Sequence, residues 1–166
     1  MLTLVVGVGN PWRGDDAAGL VVADRVRAQA QGVLVETLEG DASALVHLWA
    51  GHDDVALVDA ASSGAPPGTL HELCDGDGAL PAAALRSSTH AFGVADAVGL
   101  AAALGRLPPR LEIYAIEGGD FSLGAPLSPA VARTVDALAT RLAATSPGFP
   151  AARRRVAPDV PLPRLD

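Results

Sequence analysis

Short aliphatic runs recur along the chain and alternate with segments of helical periodicity. Leu2–Val8 is aliphatic apart from Thr3 and Gly7, and Val55–Val58 is aliphatic throughout, a pattern typical of strands that are buried on both faces of a parallel sheet. The segment between such runs, for example Asp15–Gln29, repeats apolar residues at helical spacing. Strands that alternate with helices need right-handed crossovers and a sheet covered on both faces. The sequence therefore predicts an α/β fold, a three-layer α/β/α sandwich with a mostly parallel sheet of the phosphorylase/hydrolase-like kind.

The same patterns give approximate bounds for each element. Strands are expected at Leu2–Val8, Val33–Leu38, Val55–Asp59, Thr69–Leu73 (as a short edge strand) and Arg110–Ile116. Helices are expected at Asp15–Gln29, Asp41–Ala50, His90–Leu104 with Val94, Val98 and Ala102 on one side, and Ser128–Ala144. The last helix has the clearest start, because Ser128 suits the N-cap and Pro129 suits the first helical position.

Length and composition favour one globular domain. The chain has 166 residues, of which 49% are hydrophobic and 19% charged, so it can bury a core without disulfides. We expect that core within residues 1–145. Residues 146–166 contain five of the 13 prolines and the run Arg153–Arg155, without apolar periodicity. This Pro/Arg-rich tail is predicted to be disordered.

Charge and cysteine content exclude several classes of function. The net charge of −7 disfavours a nucleic-acid ligand. The single cysteine, Cys74, excludes cysteine-cluster metal sites and is consistent with a reducing compartment. No window is apolar for long enough to span a membrane, and the N-terminal segment has no basic region of a signal peptide. We expect a soluble, cytoplasmic protein, with no membrane partner, that is a monomer.

Three polar side chains are expected to converge at the carboxyl ends of the parallel strands, where open α/β sheets bind ligands. Asp16 lies in the loop after the first strand, Asp59 ends the third aliphatic run, and His90 opens a predicted helix. Two carboxylates and an imidazole can form a metal site or an acid–base site. The structural alternatives are a cap on the first helix, which we assign to Asp15, and turn or helix-start roles for Asp59 and His90. His71 is expected to have no role.

A dinucleotide site is a competing interpretation of the first loop. Gly7 and Gly9 follow the first strand, and Glu36 ends the second strand near the expected position of a ribose-binding acid. The third glycine of the motif should fall at position 12, which is Trp12, and its bulk would obstruct close packing at a pyrophosphate. Only half of the fingerprint is therefore present.

Several motifs in one order resemble those of a known family. They are Gly7-Val8-Gly9-Asn10, Gly14-Asp15-Asp16-Ala17-Ala18-Gly19, Leu57-Val58-Asp59-Ala60, Ser88-Thr89-His90, and Ile116-Glu117-Gly118 followed by Leu127-Ser128-Pro129. This series resembles the nickel–iron hydrogenase maturation endopeptidases over about residues 1–145. The resemblance implies an α/β/α sandwich that removes a C-terminal peptide from the precursor of a hydrogenase large subunit after nickel insertion.

The resemblance also implies residue roles. The metal-contacting and catalytic residues would be Asp16, Asp59 and His90, with nickel presented by the precursor rather than held permanently. Asp16 stands where relatives often have Glu. Substrate contacts would come from Gly9 and Asn10 and, in the loop after the second strand, from Gly40 and Asp41. This second loop lacks the Gly-Thr pair of many relatives.

Two alternatives remain open at this point. A non-catalytic, nickel-dependent protein that binds the immature subunit could use the same three ligands. The Gly9-Asn10-Pro11 segment also resembles peptidyl-tRNA hydrolase, but residues 15–30 contain neither the His nor the Asn that this family needs.

Overall fold

A computed structural model describes residues 3–74 and 93–145. The first strand, β1 (Leu4–Gly9), is buried throughout, as its apolar sequence predicts. It is followed by a 3₁₀ turn (Gly14–Ala17) and by α1 (Ala18–Gln29). The remaining elements are β2 (Leu34–Glu39), a 3₁₀ turn (Ala42–Ala44), α2 (Leu45–Leu48), β3 (Asp54–Ala61), β4 (Leu70–Cys74), α3 (Val94–Ala103), β5 (Arg110–Glu117) and α4 (Pro129–Ala144).

The described strands form one sheet in the order β2-β1-β3-β5-β4. Neighbouring strands are parallel except for β4, which pairs antiparallel with β5 at the edge. The chain runs from β1 to β2 on one side, and β3 then pairs on the other side of β1. The strand order therefore reverses between β1 and β3, and the crossovers on the two sides must use opposite faces of the sheet.

The two faces of the sheet carry separate apolar cores. On one face, α1 and α4 pack over the strands, and their buried side chains include Val22, Val26, Val135 and Leu138. On the other face, α2 and α3 cover the sheet with Leu45, Trp49 and Ala97 among the buried residues. Helices on both faces of a mostly parallel sheet confirm the predicted three-layer sandwich. Within the described ranges, no helix is both long and apolar enough to cross a lipid bilayer.

The element predictions hold best where the apolar pattern is long. The predicted stripe of α4 is buried, Ser128 is the N-cap, and Pro129 is in the first turn. β4 is the predicted edge strand. The predicted tail, residues 146–166, lies outside the described residues.

The differences concern element ends. The first predicted helix is a 3₁₀ turn up to Ala17 and α-helical only from Ala18, and the short helix after β2 is likewise part 3₁₀. α3 begins at Val94, after the N-cap Gly93, whose N–H donates to the Asp96 carboxylate over 2.9 Å. The predicted helix His90–Leu104 therefore starts too early, and its first residues lie outside the described residues. Its buried residues include Ala101 rather than the predicted Ala102, which is exposed.

One glycine allows α1 to lie directly on the sheet. A Cβ atom at Gly19 would lie 2.4 Å from the carbonyl oxygens of both Val8 and Val58, well inside van der Waals contact. The first turn of α1 therefore rests on β1 and β3 at the place where the strand order reverses. Because the obstructing atoms belong to the backbone, no side-chain rotation could make room.

We expect Gly19→Ala to lower the free energy of unfolding by about 1–3 kcal/mol, because the added methyl overpacks two strand carbonyls. The matched control is Gly99→Ala in α3, where the position is exposed and no atom lies within 4 Å of the added Cβ. This control should instead gain up to about 1 kcal/mol from helix propensity. Urea denaturation of both variants measures these changes. Equal changes in the free energy of unfolding would contradict the packing argument.

Candidate functional site

The loops after β1 and β3 lie beside the reversal of strand order. In open α/β sheets this crevice outside the carboxyl ends of the strands is where ligands bind. Asp16 belongs to the 3₁₀ turn after β1, and Asp59 lies in β3 directly after Val58, whose carbonyl contacts Gly19. The fold therefore brings these two predicted site residues to the same edge of the sheet.

Asp16 is held in place through its backbone. Its N–H donates to the Arg13 carbonyl over 3.0 Å, and its carbonyl accepts from Asn10 N–H over 3.2 Å. A Cβ at Gly9 would lie 2.1 Å from the Asp16 carbonyl oxygen, so position 9 must be glycine for the loop to fold back this closely. The Asp16 side chain is buried. The close approach explains why β1 ends in a glycine.

Asp59 is a buried carboxylate within a strand. It does not end β3 as predicted, because Ala60 and Ala61 continue the pairing with β5. The residue is 3% exposed, and Oδ1 accepts from the Ala60 N–H over 2.8 Å. A buried carboxylate in a strand is costly unless it is hydrogen-bonded, paired or used in chemistry. The hydrogen bond from Ala60 N–H meets part of this requirement at Asp59.

Asp15 does not cap α1 as predicted, since neither the 3₁₀ turn nor α1 has a side-chain cap. Its fully buried carboxylate instead accepts hydrogen bonds from the loop between β5 and α4. The donors are Gly119 N–H (2.8 Å), Asp120 N–H (3.0 Å), Ser128 N–H (2.7 Å) and Ser128 Oγ (2.9 Å). The Asp15 N–H also donates to the Asp120 carbonyl over 2.8 Å. Asp15 therefore joins the β1–α1 and β5–α4 loops.

The charge of Asp15 is stabilised by these donors. Burial alone would raise the pKa of the carboxyl group, but the hydrogen bonds from Ser128, Gly119 and Asp120 outweigh it and lower the pKa below its ordinary value of 3.8. A carboxylate that accepts several backbone N–H groups is stable in its ionised form. Asp15 thus has a structural role as an anion.

Glu117 forms a second buried anion, which the sequence interpretation missed. Its carboxylate accepts from Ser63 N–H (2.6 Å), Ser63 Oγ (2.8 Å) and Gly64 N–H (3.0 Å), and lies 3.1 Å from Nε2 of His71. Burial raises the pKa of Glu117, but the bonds from Ser63, His71 and Gly64 lower it overall. His71, for which no role was expected, therefore helps to fix the loop after β3. The sequence does contain an indication of this residue, because Glu117 directly follows the apolar run of β5, just as Asp59 follows the run Val55–Val58.

The predicted substrate-binding residues lie at the same edge. The Gly40 N–H donates to the Gly9 carbonyl over 3.0 Å, so the loops after β1 and β2 are adjacent. Asn10 uses its side-chain oxygen to accept from Trp12 N–H over 3.0 Å. Asp41 is exposed, and its carboxylate accepts from Ser43 N–H over 2.8 Å as the cap of a 3₁₀ turn.

The third predicted site residue, His90, lies outside the described residues. Among residues 3–74 and 93–145, no group of three or more His, Cys, Asp or Glu side chains forms a metal site. The two carboxylates at the strand reversal would therefore need ligands from outside this part of the chain to hold a metal ion.

The structure contradicts the remaining support for a dinucleotide site. Glu36 does not end β2, which continues to Glu39; it pairs with Val6 in the middle of the strand. Trp12 occupies an exposed position in the loop, where the motif would need a glycine packed between helix and strand.

Comparison with known proteins identifies the family. The family model described as "Hydrogenase maturation protease", HycI, matches residues 33–145. The chain belongs to this family. The resemblance that the sequence motifs suggested is thereby confirmed.

Individual relatives agree with this assignment. The chain is 30% identical over 137 residues to the hydrogenase expression/formation protein HupD of Rhodobacter capsulatus; the match covers 80% of this chain and 65% of the relative. The chain thus spans less than two thirds of that relative's length.

Solved structures share the fold. The hydrogenase maturation protease HycI of Thermococcus kodakarensis KOD1 matches with a TM-score of 0.68 and 24% identity, covering 86% of this chain and 90% of that one. The hydrogenase maturating endopeptidase HybD of E. coli matches with a TM-score of 0.69, 23% identity and the same coverages.

We expect Asp15→Asn to lower the free energy of unfolding by about 1–3 kcal/mol at neutral pH, because an amide cannot satisfy four converging donors. The contribution of Asp15 is complete above its unfolded pKa and is lost as the pH falls through its lowered folded pKa. The free energies of unfolding of wild type and variant should therefore become more similar below about pH 4. Urea denaturation at several pH values across this range tests the prediction. A difference in unfolding free energy that does not change with pH would contradict an ionised Asp15. Asp24→Asn, at an exposed position in α1, is the control.

Proposed function

We propose that the protein is an endopeptidase that removes a C-terminal peptide from the nickel-loaded precursor of a nickel–iron hydrogenase large subunit. The observation that carries this proposal is the pair of buried carboxylates, Asp16 and Asp59, beside the strand reversal of a chain in the hydrogenase maturation protease family. A fold alone would not support an activity, because function depends on the site.

In this proposal Asp16, Asp59 and His90 contact the nickel that the precursor presents, and nickel is part of the substrate. Carboxylate and imidazole groups are suitable ligands for such an ion. The described part of the chain would supply two of the ligands, and His90 and the precursor would supply the rest. Nickel bound in this way supplies Lewis-acid chemistry at the scissile carbonyl or at a water molecule.

The protein's own residues orient the substrate and transfer protons. A carboxylate of Asp16 or Asp59 would act as the base for the attacking water. For this role the carboxylate must lie within hydrogen-bond distance of that water. Gly9, Asn10, Gly40 and Asp41 would contact the precursor from the adjacent loops. The backbone contacts of Asp16 hold its Cα in place without substrate, which favours catalysis because less ordering remains to be done on binding.

The direct test is intact-mass measurement of a nickel-loaded large-subunit precursor incubated with the protein. Loss of a C-terminal peptide is expected with wild type and with the exposed-acid control Asp24→Asn. Asp16→Asn, Asp59→Asn and His90→Ala should each reduce the rate by at least about 100-fold, the contribution typical of a positioned acid–base group.

Two further outcomes would contradict the proposal. Cleavage of nickel-free precursor at the same rate would show that nickel is not required for recognition. A stable complex with wild type without any change in mass would instead support a nickel-dependent binding protein. Circular dichroism of each variant shows whether it has folded.

A further inference from the structure

The loops joined by Asp15 present two strongly exposed apolar side chains. Trp12 is 71% exposed and Leu123 is 80% exposed. The Gly124 N–H donates to the Trp12 carbonyl over 2.8 Å, so the two loops meet at these residues. We call Trp12 and Leu123 the apolar corner. A large aromatic side chain left in water is the kind of surface feature that marks a protein contact.

The apolar corner is rigidly supported. Asn10 fixes the Trp12 backbone through its side-chain oxygen, and Arg13 Nε donates to the Phe121 carbonyl over 3.4 Å. Beneath the corner, the buried Asp15 carboxylate ties the two loops together. A preorganised contact loses less conformational entropy on binding than a mobile one. The exposure is therefore built into two fixed loops.

From these observations we propose that the apolar corner docks into an apolar hollow on the folded body of the hydrogenase large-subunit precursor. This inference rests on the proposed function and adds the recognition surface. An extended peptide needs a groove or a strand edge, whereas Trp12 and Leu123 both project into solvent. A projecting pair fits a hollow on a folded surface rather than the peptide that is cleaved.

The position of the corner suits recognition coupled to cleavage. Trp12 is four residues from Asp16, within the one loop that Gly9 and Asn10 hold against the Asp16 backbone. Docking at Trp12 would therefore bring the precursor beside the carboxylates. Arg13, which is also exposed, follows Trp12 directly in the loop and adds a cationic group to this surface. Trp and Arg are the residues most enriched at energetic centres of interfaces.

A direct measurement uses ¹⁹F NMR on protein that contains 5-fluorotryptophan. The chain has two tryptophans, and Trp49 is buried at 1% exposure, so it serves as an internal reference. Nickel-loaded precursor should shift or broaden the Trp12 resonance and leave that of Trp49 unchanged. Asp16→Asn protein prevents turnover during the measurement.

The kinetic test compares Trp12→Ala/Leu123→Ala with Leu34→Ala/Leu104→Ala. The control residues are also exposed apolar side chains, but they lie at the amino ends of the strands: Leu34 begins β2, and Leu104 follows α3. The corner variant should raise KM about 10- to 100-fold with kcat little changed, since it removes binding rather than chemistry. The control variant should cleave as wild type does.

The outcomes separate this inference from the proposed function. If wild type cleaves while the corner variant keeps wild-type kcat/KM, docking at the corner is refuted and the endopeptidase proposal stands. If the Trp12 resonance of the Asp16→Asn protein responds to precursor but wild-type protein does not cleave that precursor, docking is supported and the endopeptidase proposal is refuted. An unchanged Trp12 resonance in the presence of bound precursor also refutes docking.

Discussion

The buried carboxylate of Asp15 is the interaction on which the carboxyl edge of the sheet depends. It accepts three backbone N–H groups and one hydroxyl, all from the loop between β5 and α4. An isolated buried charge is very unfavourable, but one that is fully hydrogen-bonded can order the groups around it. Because Asp15 lies in the 3₁₀ turn that leads into α1, its carboxylate links the start of α1 to the start of α4. The loops after β1 and β5 are therefore joined into one unit.

A second buried anion, Glu117, orders the other side of the crevice. It joins the end of β5 to Ser63 and Gly64 after β3 and to His71 on β4. Asp15 forms hydrogen bonds that hold the loops after β1 and β5, and Glu117 forms hydrogen bonds that hold the loop after β3. The loops that flank Asp16 and Asp59 are therefore ordered by two other buried carboxylates.

The sequence predicts the layers of the fold well because their cause is local. The aliphatic run Val55–Val58 and the apolar stripe of α4 must each be buried. Because strands alternate with helices along the chain, this burial requires a parallel sheet that is covered by helices. The partners of Asp15 could not be predicted, since they lie 104–113 residues away in the chain. The end of β3 was also missed, because small alanines continue a strand without an aliphatic signal. Asp59 and Asp16 could be selected by position, whereas the contacts that hold Asp16 depend on the folded loop.

Adjacent acids with different roles follow from the geometry of the turn that holds them. Consecutive residues of a 3₁₀ turn project about 120° apart, because one turn takes three residues. Once Asp15 is directed at the β5–α4 loop, Asp16 must be directed elsewhere, and the turn that carries it packs against β3. The same loop presents Trp12 to solvent on its outer side. A single short connection thus combines an exposed aromatic, a structural anion and a candidate catalytic acid, so that rigidity imposed at Asp15 also fixes the spacing between Trp12 and Asp16.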